Sequence, residues 1–253
     1  MISCSPSLTM RLARDETDRI EAERLRYDVF VRELGGDGPM VDHEAGRERD
    51  RFDAVTEQLL LIDEARPEGA RVVGLYRLLD DDGAAKIGQF YTEDEFDLAP
   101  LRASGRRLLE LGRSCLHRDY RGGTAMFRLW QGLAEHVEAR GVEILFGTAS
   151  FRGADPALHA MPLALLGRDH LAPEALRVTS RQPEHARLPE LPQIDRAAAM
   201  RAIPPLIKAY LRLGGRIGQG VFADRDFNTT DVCMILDVAG THADQRARYG
   251  GRS

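Results

Sequence analysis

Cysteine is scarce in this chain. Cys4, Cys115 and Cys233 are the three in 253 residues, widely spaced and without a Cys-x-x-Cys pair. That usage excludes a disulfide framework or a cysteine zinc site and points to a reducing compartment. Long apolar runs are missing too: none approaches the roughly 20 residues that span a bilayer. The opening MISCSPSLTMRLARDE lacks the basic start and apolar middle of a secretory signal. The expected location is the cytoplasm. Lysine is nearly absent, with only Lys86 and Lys208 among 35 basic residues, the bias of a GC-rich bacterial genome. The net charge of −5 argues against generic nucleic-acid binding.

What positive charge there is gathers in one place. Between Arg102 and Arg128 seven arginines face two acids, Glu110 and Asp119. A basic strip in an acidic chain suits an anionic partner.

The pattern predicts a helix over 16–34, closed by Gly35-Gly36, and then a polar loop to Asp53. Strands over 58–63 and 71–79, with Pro67-Glu68-Gly69 between them, read as an antiparallel hairpin. Asp80-Asp81-Asp82-Gly83 lacks the other ligands of a calcium loop and reads as a solvated turn. A strand over 107–116 leads into a helix over 124–140, with Met126, Trp130, Leu133 and Val137 on one face and Gly141 as its stop. A buried strand over 142–147 follows. From Phe151 to about Arg196 regularity falls away, and the proline-rich 181–196 reads as an exposed insertion. PPLIKAYLRLGGRIGQG starts a helix, 232–238 is the last strand, and 241–253 reads as a disordered tail. The expectation is one α+β (mixed α/β) domain over 1–240 with a C-terminal elaboration.

Three features carry chemistry. The first is Arg118, Arg121, Gly122, Gly123 and Thr124 at the entrance to a helix, where open N–H groups and the helix dipole attract a phosphate. The second is Glu110 with Arg113 in an apolar strand. Residues three apart on a strand face opposite ways unless a bulge intervenes, and Gly112 is where one is expected. Third, Asp50 and Asp53 in the run Glu48 to Asp53 are suited to receive a cationic amine, or else form a solvated charge run. No metal site is expected.

Four motifs in order then resemble the skeleton of acyl-homoserine-lactone synthases. They are Leu25-Arg26-Tyr27-x-Val29-Phe30, Glu48-x-Asp50-x-Phe52-Asp53, Gly74-x-Tyr76-Arg77-Leu78 and Glu110-x-x-Arg113. The segments 147–160, 204–218 and 226–236 are similar to bacterial L-ornithine N-alpha-acyltransferases, and with them the resemblance spans about residues 10 to 238. It implies a GNAT-like N-acyltransferase fold, a central mostly antiparallel sheet flanked by helices. The implied reaction moves a 3-hydroxyacyl group from acyl carrier protein to the α-amine of L-ornithine, giving lyso-ornithine lipid. The alternatives are an acyl-homoserine-lactone or other long-chain N-acyl amino acid synthase, and a non-catalytic module that binds acyl carrier protein.

The resemblance implies roles as well. Glu110 is the candidate base, its pKa raised by burial, and a splayed strand beside it offers an N–H to the developing oxyanion. Asp50 and Asp53 hold the cationic amine. Arg77 and Arg113 either receive the substrate carboxylate or brace those acids, and Arg26 belongs with the same substrate-binding set. His117 is a lesser candidate for a general acid, and Cys115 reads as a buried strand residue. Arg121-Gly122-Gly123 is followed by Thr124, Ala125 and Met126, so the later small positions of a coenzyme A pyrophosphate loop are lost. A single pantetheine phosphate on an acidic carrier protein fits that loop better. No permanently bound cofactor is expected, only the phosphopantetheine thioester as co-substrate. A lipid product leaves room for peripheral contact with the cytoplasmic face of the inner membrane.

Overall fold

The computed structural model describes residues 8–238. They form two compact units, each drawn from two stretches of chain. The first runs to Ile87 and resumes over Leu111–Gly141; the second takes Gly88–Glu110 and the chain from Val142. The expected tail, 241–253, lies outside the described residues.

In the first unit β1 (Leu8–Leu12) pairs antiparallel with β2 (Glu57–Asp63), which pairs antiparallel with β3 (Val72–Asp80). The hairpin is the expected one, its turn reached through Gly69 at φ +85. Helix α1 (Glu16–Arg26) is capped by the Asp15 side chain and runs on as a π-helix over Tyr27–Glu33, so the expected helix is real but widens after Arg26. Its buried Ala22, Leu25 and Val29 pack with Leu60, Ile62, Val72, Leu75 and Cys115 into one core. Glu21 fastens that helix to the hairpin, its carboxylate accepting from the N–H groups of Gly69, Arg71 and Val72.

Asp80 to Gly83 is not a solvated turn. The Asp80 carboxylate caps the N–H of Gly83 at 2.8 Å, and α2 (Asp81–Ile87) begins there. Asp81 and Asp82 sit in its first turn, where the helix dipole favours acids.

Strand β5 (Leu108–Leu116) lies next to β3 in the strand order, and its residues from Leu111 onward belong to the first unit. Gly74 lets β3 pack tightly here, since a Cβ would sit 2.5 Å from Leu116 Cδ2 and 3.0 Å from Leu129 Cδ1. Helix α4 (Ala125–Arg140) ends at Gly141 in the left-handed region, as expected. Its buried stripe is Ala125, Leu129, Gly132, Leu133 and Val137, so it shares Leu133 and Val137 with the expected face but turns Met126 and Trp130 to half-buried edges.

In the second unit Leu108–Glu110 of β5 pair parallel with the start of β6 (Ile144–Arg152), the three pairs ending at Glu110↔Phe146. All nine residues of β6 then pair antiparallel with β10 (Thr229–Asp237). The far edge of β10 carries the short strands β8 (Arg216–Ile217) and β9 (Phe222–Asp224). A separate two-stranded ladder joins β4 (Phe96–Asp97) to β7 (Thr179–Ser180). Helices α3 (Ala99–Ala103), α5 (Ala160–His170), α6 (Arg196–Ala202) and α7 (Pro205–Arg212) complete it. The sheet strands are thus mixed in direction and mostly antiparallel, as expected.

The stretch after Phe151 is more regular than the sequence suggests, because α5 lies inside it. Pro162 to Leu166 are all buried in succession, so the middle of this helix reads as one continuous apolar run and its polar residues, Arg168 to His170, come only in the last turn. Pro162 falls in its first turn, where a missing N–H costs nothing. Of 181–196 most is exposed, but Leu188 is buried and packs on α5 at Gly167. Among the described residues no helix is long and apolar enough to cross a membrane.

Candidate active site

Six ionised side chains interlock in the first unit. Arg26, the last residue of α1, is fully buried and grips Asp53 with two nitrogens, at 2.5 and 2.9 Å. Its Nε donates to Glu48 at 2.5 Å. Arg77, in mid β3 and 3% exposed, donates to Asp50 at 2.6 Å. Arg113, on β5, reaches Asp50 at 2.8 Å and Glu48 at 3.2 Å. Three guanidinium groups thus balance three carboxylates.

Local sequence sets the acids in place. Asp50 and Asp53 form a capping box around a 3₁₀ turn over Arg51–Ala54: the Asp50 carboxylate accepts from the N–H of Phe52, and that of Asp53 from the N–H of Asp50. Gln58 adds a bond to Asp53 at 3.0 Å, and Phe52 is buried beneath Arg51 and Arg77. Burial alone would push these carboxyls up. Arg26 and Arg77 outweigh it at Asp53, Arg77 and Arg113 at Asp50, and Arg113 and Arg26 at Glu48, so all three are held below the ordinary range. Asp50 and Asp53 therefore meet arginines where the sequence reading offered them to an amine.

A bulge is expected at Gly112; β5 runs unbroken from Leu108 to Leu116, and its irregular backbone lies one residue further on. Arg113 itself has φ +49, a left-handed conformation costly for a residue with a side chain, and its bonds to Glu48 and Asp50 hold it there. Burial pushes the thiol of Cys115 up to about 12, in keeping with its expected role as a strand residue.

Glu110 belongs to the second unit and is 3% exposed. Its Oε2 accepts from the N–H of Tyr91 at 2.8 Å, while Oε1 accepts from the N–H of Thr92 at 2.6 Å and from the Thr92 hydroxyl. These donors sit on a 3₁₀ turn over Tyr91–Asp94, entered through Phe90, whose N–H donates to Glu93. Arg102 in turn forks onto Glu93. Sequence reading missed this turn altogether; its one signal is Glu93 three residues after Phe90, the spacing of a capping box.

The glycine-rich entrance to α4 lies in the first unit. His117 caps the 3₁₀ turn over Arg118–Tyr120, its Nδ1 accepting from the N–H of Asp119 at 3.3 Å. Burial and the nearby Arg66 hold its pKa below the ordinary value, which disfavours the charged acid form. Tyr120 donates to Asp63 at 2.5 Å. Arg121 donates to the Leu116 carbonyl and pairs with Glu33, so it braces the turn, whereas Arg118 projects into solvent. Gly122 takes φ +80, and a Cβ at either Gly122 or Gly123 would meet nothing within 4 Å. No acid occupies the first turn of α4, and the Thr124 side chain does not cap it. The turn presents open N–H groups at the positive end of a 16-residue helix.

Glu95, Asp224 and Asp231, in the second unit, bring carboxylate oxygens within 4.8 Å of one another, the one grouping with metal-ligand spacing among the described residues.

The family model for the acetyltransferase (GNAT) domain matches residues 25–131, a span that holds the glycine-rich entrance to α4 and every residue of the ionic network. An L-ornithine N(alpha)-acyltransferase of Rhodobacter capsulatus is 53% identical over 100% of this chain and 98% of its own. The chain belongs to the L-ornithine N(alpha)-acyltransferase family. It is an acyltransferase with a GNAT-like fold. Two solved structures show the same fold at low identity. FeeM, an N-acyl amino acid synthase from uncultured soil microbes, superposes with TM-score 0.55 at 12% identity, over 98% of this chain and 99% of its own. BjaI, a CoA-dependent acyl-homoserine lactone synthase, gives 0.53 at 16% identity, over 98% and 92%. In this chain, then, the motifs that resemble the lactone synthases are the ones that supply the ionic network and contain Glu110.

Proposed function

We propose that this acyltransferase moves a 3-hydroxy long-chain acyl group from acyl carrier protein to the α-amine of L-ornithine, releasing lyso-ornithine lipid and the carrier thiol. The observation that carries this reading is the 53% identity, over the whole chain, to an enzyme named for that acceptor.

The chemistry follows from named groups. An α-amine is mostly protonated at neutral pH and is no nucleophile until a base takes one proton. Glu110 takes it, held in place by Tyr91 and Thr92. The amine lone pair then forms the C–N bond at the thioester carbonyl, and a main-chain N–H of β5 receives the oxyanion. Collapse breaks the C–S bond, and the second amine proton leaves with the departing sulfur. No covalent enzyme intermediate is formed.

Substrate roles divide by burial. Arg26 and Arg77 are buried and brace Asp53 and Asp50. Asp50, Asp53 and Arg113 are the more accessible members, with side chains 20%, 14% and 10% exposed, and of these Asp50 and Arg113 pair directly with each other while Asp53 is forked onto buried Arg26. A zwitterionic amino acid can exchange partners with the Asp50–Arg113 pair, its ammonium going to Asp50 and its carboxylate to Arg113. On the donor side, N–H groups from Gly122 to Thr124, with Arg118, take the pantetheine phosphate, while Arg121 shapes the turn. The thioester is a co-substrate, and no permanently bound cofactor is invoked. The enzyme works in the cytoplasm, touching the inner membrane peripherally where its lipid product leaves.

The test is mass spectrometry after mixing the purified protein, 3-hydroxyacyl carrier protein and a pool of amino acids. An N-acyl-ornithine mass is the expected result. Acylation of another amine would move the acceptor, and no product with a verified carrier would leave a binding module.

A further inference from the structure

We propose that the first turn of α4, centred on Phe127 and flanked by Arg118 and Arg128, is the docking surface for the acidic carrier protein. The inference rests on the reading above and names the surface that its partner meets.

Phe127 is 72% exposed, beside the phosphate turn. The ring stands mostly in water at the start of the helix, and it is Ala125 and Leu129 on either side that enter the core. Arg128 follows it and is exposed, and so is Arg118 on the turn before, where Asp119 at 4.0 Å offsets part of its charge. No acid appears on α4 before Glu135, so two helical turns carry only positive or neutral groups. The helix dipole adds to that field at the same end.

One aromatic anchor rimmed by arginines is the composition of a protein interface hot spot. A lipid surface would be met by several apolar side chains along one amphipathic face, and here there is a single ring. Charge complementarity selects an acidic partner, steers its approach and makes docking salt-sensitive. The location selects which acidic partner: the protein whose prosthetic arm must enter between Arg118 and Thr124.

Steady-state kinetics at saturating ornithine, with two donors of the same acyl chain, test this. One donor is the acylated carrier protein and the other a short acyl-pantetheine. Phe127→Ala and Arg128→Glu are both surface changes. Each is expected to raise KM for the carrier about tenfold and their combination further, with kcat retained. KM for acyl-pantetheine should stay within about twofold of the unsubstituted enzyme. Added salt should raise the carrier KM of the unsubstituted enzyme more than that of Arg128→Glu. An unchanged carrier KM in active variants overturns the docking surface. So does an equal rise for both donors, which would place Phe127 in the local phosphate site. Loss of anionic-vesicle binding with the carrier KM unchanged would assign the patch to a membrane instead. Should the unsubstituted enzyme turn over neither donor, the functional reading itself fails, and that outcome is distinct from the others.

Discussion

Arg26 and Asp53 are joined by two parallel hydrogen bonds, from the end of α1 to a capping turn 27 residues later, with the guanidinium wholly shut from water. A buried pair of this kind is a weak source of net stability, yet removing one partner strands the other. Arg26→Ala should therefore cost about 3–5 kcal/mol in urea unfolding. Asp53→Asn should cost nearly as much, since Gln58 and the N–H of Asp50 also lose their charged acceptor. A loss under 1 kcal/mol for both would mean the network is slack.

The same groups set an acid limit. Asp53, Asp50 and Glu48 all have folded pKa values below their ordinary 3.8, 3.8 and 4.5. A depressed carboxyl binds fewer protons in the folded state than in the unfolded one. Its contribution is complete above the ordinary value and disappears as pH falls through the folded one. Urea midpoints should be flat from pH 7 to about 5 on this account and fall steadily below about 4. In Asp53→Asn the acid slope should be shallower. An equal slope in both proteins would place the acid sensitivity elsewhere.

Glu110 anchors a turn and is also the proposed base, and the two roles can be separated. Glu110→Gln removes the base and should reduce kcat by about 10²–10⁴. It also leaves one carbonyl oxygen for three donors, so a stability loss of about 1–3 kcal/mol accompanies it. Thr92→Val deletes only the hydroxyl donor and should lower kcat less than about tenfold. If Thr92→Val matched Glu110→Gln in kcat, the carboxylate would be acting through the turn and not on the amine.

Much of the architecture could be read before any coordinates. The β2–β3 hairpin announced itself through apolar runs around Pro67-Glu68-Gly69, and α4 through its periodicity and Gly141. Failures came where the usual signal was absent. Helix α5 buries five residues in succession, Pro162 to Leu166, which hides its period, while Asp80 looked like a turn residue because a helix cap and a turn use the same side chains. For the site, the motifs supplied the residues but not their partners. Arg113 meets Glu48 and Asp50 from more than 60 positions away, and Glu110 meets Thr92 from 18. Such pairings depend on tertiary placement, which no local spacing encodes.

Asp50 and Arg113, the more accessible pair of the network, should govern the acceptor. Arg113→Lys keeps a charge but loses the fork that spans Glu48 and Asp50. Its KM for ornithine should rise about tenfold or more, with KM for the acyl donor within about twofold. Lysine also inherits the left-handed backbone at φ +49, so the substitution adds no new backbone strain. Arg77→Lys, further inside, should show in unfolding midpoint before it shows in ornithine KM. Equal effects on acceptor and donor KM for Arg113→Lys would make this pair structural only.

Tyr120 supplies the last test, because it ties the proposed phosphate turn to the hairpin through its hydroxyl. Its hydroxyl donates to Asp63 at the end of β2, and Arg66 lies over its ring. Asp63 is itself fixed by the N–H of Ala65, so the turn is tied to the hairpin and not merely resting on it. Tyr120→Phe cuts that tie and retains the ring. Gly122 and Gly123 then lose a fixed reference, and the N–H groups at the start of α4 are less well aligned for a phosphate. KM should rise about three- to tenfold for carrier-bound and pantetheine donors alike, with kcat nearly kept. That shared rise separates Tyr120 from Phe127, whose loss should affect only the carrier. Asp63→Ala, which leaves the Tyr120 hydroxyl without this acceptor, should give the same phenotype. The double substitution should add little to either single one, since the two residues act through one hydrogen bond. Full additivity, or a normal donor KM in Tyr120→Phe, would show that the turn keeps its shape without this anchor.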